Sequence, residues 1–416
     1  MPDYKRKFFT LDDYDLTDKT VLLRLDINSP IHPLTGEIMG DTRFRSHIPT
    51  IDRLKNSKVV ILAHQSRPGK ADFTSLEAHA RRLERLLGRR VKYIDSICGP
   101  TALNAIKSMK SGDILMLENT RFFSEDVIFE KEDLESMESS NMVRNLSSVV
   151  DVFVNDAFPA IHRHQTSLTG FTNTVPNIAG MLIQKETEAV DNFLHASSKG
   201  SIAILAGAKI EDSISVARSF MERKLVSKIL VGGVVANAFT WASGTSIGKR
   251  NEEFIRNNNK NVEKYLDICR DILKKNGDAI VMPIDFILNP TLRRISLNER
   301  IPDDQIIADI GPDTIASFSR EIRTAKHIFV NGPMGMYELA DYASGTREIL
   351  KEIANSKALK LAGGGHTISA LEMMGLKDKI DHISTGGGAL ISYLSGEPMP
   401  VIESLVKSRD KFQDVK

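Results

Sequence analysis

The chain has 416 residues, 41% hydrophobic and 26% charged, and 55 Lys and Arg against 54 Asp and Glu leave a formal net charge of +1. That length exceeds what one hydrophobic core usually supports, so two domains are expected, and the even charge excludes an overall basic field for nucleic acid or an anionic membrane. The opening residues MPDYKRKFFTLDDYDL hold no apolar leader core, no apolar run approaches about 18 residues, and Cys98 and Cys269 are too few and too separated for a metal cluster or disulfide framework; a cytoplasmic protein is expected.

Short runs rich in Val, Ile and Leu alternate with longer amphipathic stretches, the pattern of parallel sheets covered by helices. In the first half, strands are expected at 21–27, 58–64, 113–119 and 149–156, with a further one at 91–94. In the second half they are expected at 201–207, 228–233, 279–285, 327–333, 359–364 and 381–387. The fold class is α/β, with two Rossmann-like, doubly wound parallel-sheet domains. The stretch 170–200 combines a Pro, a helical pattern and a Ser/Gly turn, and reads as a hinge helix joining domains at 1–180 and 181–395. A tail, 396–416, has the pattern of a final amphipathic helix. The charged segments 125–147 and 251–276 read as solvated helical insertions.

In open α/β sheets, ligands bind beyond the carboxyl ends of the strands, so the strand endings carry the functional information. First-half strands run into polar and cationic residues: Asp26 and Asn28, His64 and Arg67, Arg121, then His162 and Arg163. With Arg43, these arginines gather in loops or next to strands. Several converging guanidinium forks suit a small ligand carrying both carboxylate and phosphate, whereas any one of them alone reads as a surface ion-pair partner. Second-half strands run into glycine instead, at 206–209, 232–233, 331–335, 363–365 and 386–388. Such turns let backbone N–H groups approach phosphates at helix N-termini.

The usual nucleotide fingerprints do not match. GTSIGKR at 244–250 has three residues between its glycines where a P-loop needs four, and Arg250 follows the lysine where Ser or Thr belongs. GGGHTI and GGGALI lack the third glycine of G-x-G-x-x-G, and the protein-kinase motifs are missing. A bare Gly-Gly also serves tight turns and close helix packing. An anion site in one half and a nucleotide site in the other nevertheless imply transfer between two bound ligands, with closure excluding water.

The stretches RLDINSP (24–30), DTRFRSHIPTI (41–51), HQSRP (64–68), LENTRF (117–122), VNDAFPAIHR (154–163), GAKIEDS (207–213), NGPMGMYE (331–338), GGGHT (363–367) and STGGGA (384–389) resemble phosphoglycerate kinase, in the wording of its archaeal branch. They follow the family's order across nearly the whole chain. The resemblance implies reversible phosphoryl transfer between 1,3-bisphosphoglycerate with ADP and 3-phosphoglycerate with ATP, in glycolysis and gluconeogenesis. It also implies Mg²⁺, a 3-phosphoglycerate-binding first domain and a nucleotide-binding second domain. No nucleic acid or membrane partner is expected, and nothing sets an oligomeric state.

Carried over residue by residue, the resemblance places Asp26, Asn28, His64, Arg67, Arg121 and Arg163 on 3-phosphoglycerate. Arg43 then faces the transferring phosphoryl group, with Lys209 and the N–H groups at Gly364 and Gly387 completing the catalytic set. Gly207, Ala208 and Lys209 contact nucleotide phosphates, Asn331 belongs to the same nucleotide loop, and Glu338 meets the ribose. Gly363, Gly364, Gly365, His366 and Thr367 serve the phosphates and magnesium. Without the resemblance, Asp26 reads as a loop residue or helix cap, Asn331 as an Asx turn and Glu338 as a surface charge. Three positions depart from the family: Ser213 replaces a second phosphate-binding lysine, Val234 a third glycine, and His366 the aspartate that usually serves magnesium. An imidazole is a poor direct magnesium ligand, so an indirect role is expected of His366. Two alternatives stay open: a kinase of this fold for another small phosphorylated carboxylate, and a non-catalytic sensor of nucleotide and phosphoglycerate.

Overall fold

The computed structural model describes residues 8–413; residues 1–7 of the expected first domain and 414–416 of the expected tail lie outside it. The chain divides into two compact units, one of residues 1–188 with 398–416, the other of residues 189–397. The helix Met181–Leu194 carries the chain across that division. The division falls eight residues beyond the expected 180, and the tail is part of the first unit rather than a segment of its own.

In the first unit, β1 (Phe9–Thr10), β2 (Thr20–Arg24), β3 (Lys58–Leu62), β4 (Lys92–Tyr93), β5 (Ile114–Met116), β6 (Val152–Asn155) and β7 (Asn177–Ala179) form one sheet, ordered β1-β7-β6-β2-β3-β5-β4. Every pairing is parallel. Both faces are buried, which is why the strands read as continuous apolar runs. Val21 and Leu23 pack on one face against Phe44 and Ile51 of the helix Thr42–Arg53. Leu22 and Val60 pack on the other against Leu146, Phe153 and Phe171. Residues 125–147 are therefore not simply a solvated insertion. Met142, Val143 and Leu146 share one face of the helix Asn141–Ser147, and the polar Arg144 and Asn145 between them masked that stripe.

In the second unit, β8 (Ser201–Leu205), β9 (Lys228–Val231), β10 (Ile280–Val281), β14 (His327–Asn331), β15 (Leu359–Gly363) and β16 (His382–Ile383) form a parallel sheet ordered β10-β9-β8-β14-β15-β16. The expected strand 279–285 is corrected to two elements. Beyond β10 and Pro283, β11 (Asp285–Asn289) begins a separate antiparallel sheet with β12 (Arg294–Ser296) and β13 (Ile306–Ile310). Residues 251–276 also differ from a solvated insertion: Val262, Leu266, Cys269 and Ile272 recur at helical spacing and are buried.

Both parallel sheets reverse their strand order at one point, where adjacent crossovers leave a crevice beyond the strand ends. In the first sheet this falls between β2 and β6, whose ends Arg24 and Asn155 are paired in register. In the second it falls between β8 and β14, ending at Leu205 and Asn331.

Candidate functional site

Beyond the first switch point lies a cleft of about 760 Å³, walled by Asn28, Ser66, Arg67, Arg121, Glu130, His162 and Arg163 among others. Asn28 follows β2, Ser66 and Arg67 follow β3, and Arg121 follows β5. Asn28 Oδ1 accepts from Ser66 N at 3.0 Å, and the Arg121 guanidinium donates to the Ser66 carbonyl. Neither Arg67 nor Arg163 has a side-chain hydrogen bond or ion pair among the described residues. A polar cleft thus carries two cations not spent on the protein itself.

Asp26, Arg43 and His64, expected on the same ligand, do not line this wall. Arg43 Nη1 lies 2.6 Å from Asp26 Oδ1. Burial opposes ionisation of Asp26, yet the cations Arg43 and Arg24 hold its carboxyl far below the usual range. His64 is closed to solvent and meets Arg24 Nη2 through Nδ1 at 3.1 Å. Arginine only donates, so Nδ1 accepts and Nε2 carries the proton. Burial, with the cations Arg24, Arg121 and Arg163, outweighs Asp26 and keeps this imidazole neutral.

Arg24 itself was not expected. It is fully buried, bonds Ser167 Oγ at 3.2 Å, and burial brings its guanidinium down to about 10, so it remains cationic at neutral pH. A cation flanked by leucines inside the run VLLRLDI was the signal for it.

Beyond the second switch point lies a narrower cleft of about 190 Å³, lined by Gly207, Ala208, Gly233, Val234, Phe254, Asp309, Met336, Glu338 and His366 with neighbouring apolar groups. Its turns are held by close backbone approach. Gly332 has φ +96°, and a Cβ there would stand 2.0 Å from Ala206 O. Gly364, at φ +84°, would place a Cβ 2.6 Å from Asn331 Oδ1. Gly365 and Gly387, by contrast, have open space where a Cβ would go. Thr367 Oγ1 accepts from Gly332 N at 2.7 Å, tying the 363–367 turn to the 331–335 loop.

Lys209 immediately precedes the helix Ile210–Glu222, is exposed, and has no ion pair among the described residues. It lies outside the cleft wall, as do Asn331, Gly363, Gly364, Gly365, Thr367 and Gly387. Ser213, on that helix, is buried. His366 Nδ1 is 3.6 Å from Glu338 Oε1, and its ring meets Tyr337 edge-on at 6.3 Å. Asp309, which sequence reasoning missed, accepts from Ile310 N at 2.9 Å and Gly345 N at 2.7 Å. Its burial outweighs those two bonds and raises its carboxyl to about 7.

Residues 11–397 match the family model described as phosphoglycerate kinase. The chain belongs to the phosphoglycerate kinase family. A phosphoglycerate kinase of Thermoplasma acidophilum is 60% identical over 407 residues, covering 98% of this chain and 99% of that protein. One of Methanothermus fervidus is 42% identical over 411 residues, covering 97% and 98%. The crystal structure of phosphoglycerate kinase from Pyrococcus horikoshii OT3 superposes with a TM-score of 0.87 at 40% identity, covering 97% of this chain and all of the other. That from Coxiella burnetii superposes at 0.81 and 28% identity, covering 98% and 100%. The fold, two Rossmann-like α/β units, is that of the phosphoglycerate kinase structures.

Proposed function

We propose that the two clefts divide the substrates of phosphoglycerate kinase between them, the first unit taking 3-phosphoglycerate or 1,3-bisphosphoglycerate and the second taking ATP or ADP. The chain is a phosphotransferase with a carboxyl acceptor. The observation that carries the division is the first cleft, where Arg67 and Arg163 face a polar space without a protein carboxylate paired to either. Asn28, Arg67, Arg121 and Arg163 are assigned to the ligand's phosphate and carboxylate. Asp26 and His64 work from behind, through Arg43 and Arg24.

A carboxylate is already nucleophilic at neutral pH, so the reaction needs positioning and charge stabilisation rather than a general base. Arg43, Lys209 and the N–H groups at Gly364 and Gly387 are assigned to the equatorial oxygens of the transferring group, where charge develops. In the second unit, the apolar cleft beside Val234, Phe254 and Met336 suits a nucleobase, Glu338 the ribose, and the turns at 207–209 and 363–367 the phosphates, with Asn331 supporting that loop. Direct transfer requires the two ligands to meet, and the helix Met181–Leu194 is assigned the hinge.

Among the described residues no group of three or more His, Cys, Asp or Glu is placed to hold a metal. Asp309 spends its oxygens on backbone N–H groups, and His366 offers nitrogen where magnesium prefers oxygen. Magnesium is therefore read as a companion of the nucleotide phosphates, and His366 as an indirect contributor. No helix among the described residues is long and apolar enough to cross a membrane; a cytoplasmic location is part of this proposal.

Steady-state turnover with 3-phosphoglycerate and MgATP tests the reading. Absence of turnover would favour a non-catalytic sensor, and preference for another phosphorylated carboxylate would favour a kinase of different specificity.

A further inference from the structure

Three of the loops that wall the first cleft follow β2, β3 and β5, and they contribute Asn28, Ser66 with Arg67, and Arg121 respectively. Surface loops are ordinarily the mobile part of a fold, whereas guanidinium groups that match two anionic ends of one small molecule must be placed closely. Two fully buried amides, neither on the cleft wall, resolve that conflict.

Asn119 grips the backbone of Gln65 by both polar groups: Oδ1 accepts from Gln65 N at 3.2 Å, and Nδ2 donates to Gln65 O at 2.9 Å. Gln65 repeats the grip one loop further on. Its Oε1 accepts from Ser29 N and its Nε2 donates to Ser29 O, both at 3.0 Å. Each grip reproduces the paired N–H···O bonds of two strands, with a side chain standing in for one of them.

The remaining capacity of both amides is also used. Asn119 Oδ1 accepts from Arg121 N at 3.2 Å, and Nδ2 donates to Thr74 O at 2.8 Å. Gln65 Nε2 donates to Asp72 O at 3.3 Å, and Oε1 meets His79 Nε2 at 3.0 Å. Burial pushes the His79 imidazole down to about 4, so it is neutral and Nε2 carries the proton that Gln65 accepts. Both lone pairs and both N–H groups of each amide are thus committed, which fixes which end is oxygen and which nitrogen. Such a network is rigid when complete and costly when one member is lost.

We propose that Gln65 and Asn119 are positioning residues for the phosphoglycerate: without touching it, they set the spacing of Asn28, Arg67 and Arg121 by locking three loops together. This rests on the substrate assignment above.

The test compares the unaltered full chain with Gln65→Met, which keeps the side chain's length and removes its bonds, and with Gln65→Glu, which keeps the acceptor oxygen and removes the donors. The KM for 3-phosphoglycerate should rise by about ten- to a hundredfold in Gln65→Met, because small misplacements of binding groups cost up to about that much. It should rise less in Gln65→Glu, while the KM for MgATP stays within about twofold in both. Equal changes in both KM values, or an unchanged KM for 3-phosphoglycerate in a folded Gln65→Met, would overturn the proposal. Amide hydrogen exchange of the unaltered protein supplies a measurement that depends on neither substrate nor variant: Ser29 and Gln65 should be protected like neighbouring strand amides. If they exchange like open loops, the lock does not exist. If they are protected but the unaltered chain does not turn over 3-phosphoglycerate, the lock stands and the substrate assignment falls, and with it the positioning role.

Discussion

Arg43 Nη1 rests 2.6 Å from Asp26 Oδ1, and the two partners differ in exposure: the Asp26 side chain is 5% exposed, that of Arg43 36%. The buried member is an anion that stays ionised, so it acts as a fixed anchor that aims the more exposed cation. An arginine held this way can meet developing charge with little reorganisation.

Arg43→Ala should lower kcat by at least about a hundredfold while changing the KM for 3-phosphoglycerate far less, the signature of charge stabilisation in the transition state. Steady-state kinetics in both substrates decide it; equal losses in binding and turnover would place Arg43 in ordinary ligand binding.

The same pair makes a prediction about acid stability. The Asp26 carboxyl is held below its ordinary 3.8, so the stability it contributes is present above about pH 4 and is lost as pH falls below that. Urea midpoints measured from pH 5 to pH 2 should fall less steeply in Arg43→Ala than in the parent.

Asp309 has the opposite sign. Its carboxyl is raised from 3.8 to about 7, so the folded protein holds this proton more tightly than the unfolded chain, and stability is lost as pH rises from about 4 to about 7. Asp309→Asn cannot ionise, and its second unit should show a smaller loss of stability over that window. An identical pH profile for parent and variant would contradict the burial argument.

His366 and Glu338 form an exposed pair, and substituting His366→Asp would set two carboxylates side by side. The resemblance suggests that this returns an oxygen ligand for magnesium. Calorimetry should show weaker ADP binding without magnesium, from charge repulsion, and recovery at magnesium concentrations lower than the parent needs. His366→Ala should retain measurable turnover.

The helix Pro400–Phe412 completes the first unit. Val401, Ile402 and Leu405 are buried, Thr172 Oγ1 meets Ser404 Oγ at 2.5 Å, and Ser408 Oγ accepts from Asn177 N at 2.9 Å. Ending the chain after Glu397 should cost more than about 4 kcal/mol, at roughly 1.5–3 kcal/mol for each buried apolar side chain. Hydrogen exchange should then show β6 and β7 opening before β8 and β14.

Most strands of the parallel sheets were legible because strands buried on both faces announce themselves as apolar runs, and the cleft arginines because they follow those runs; β1 and β7, two and three residues long, were too short to register. The third sheet was not: in β11, Phe286 and Leu288 are buried while Ile287 between them is half-exposed, an alternation too short to register beside Pro283. Gln65 and Asn119 were illegible for another reason. Apart from the His79 imidazole, their partners are backbone groups, most of them on other loops, and a backbone group leaves no letter in the sequence. His64 and Lys209 show the converse: the letters were noticed, but exposure, which separates a buried imidazole from a free ammonium, belongs to the fold.

The division of the chain has a consequence for its synthesis. Residues 189–397 make one unit, while the other is assembled from residues on both sides of them. A ribosome releases the first 188 residues early, yet their last packing element, Pro400–Phe412, emerges only after the whole intervening unit. The second unit is therefore continuous in the chain, whereas the arginine-bearing unit lacks its covering helix, and keeps the floor beneath it open, until all of the intervening residues have been made.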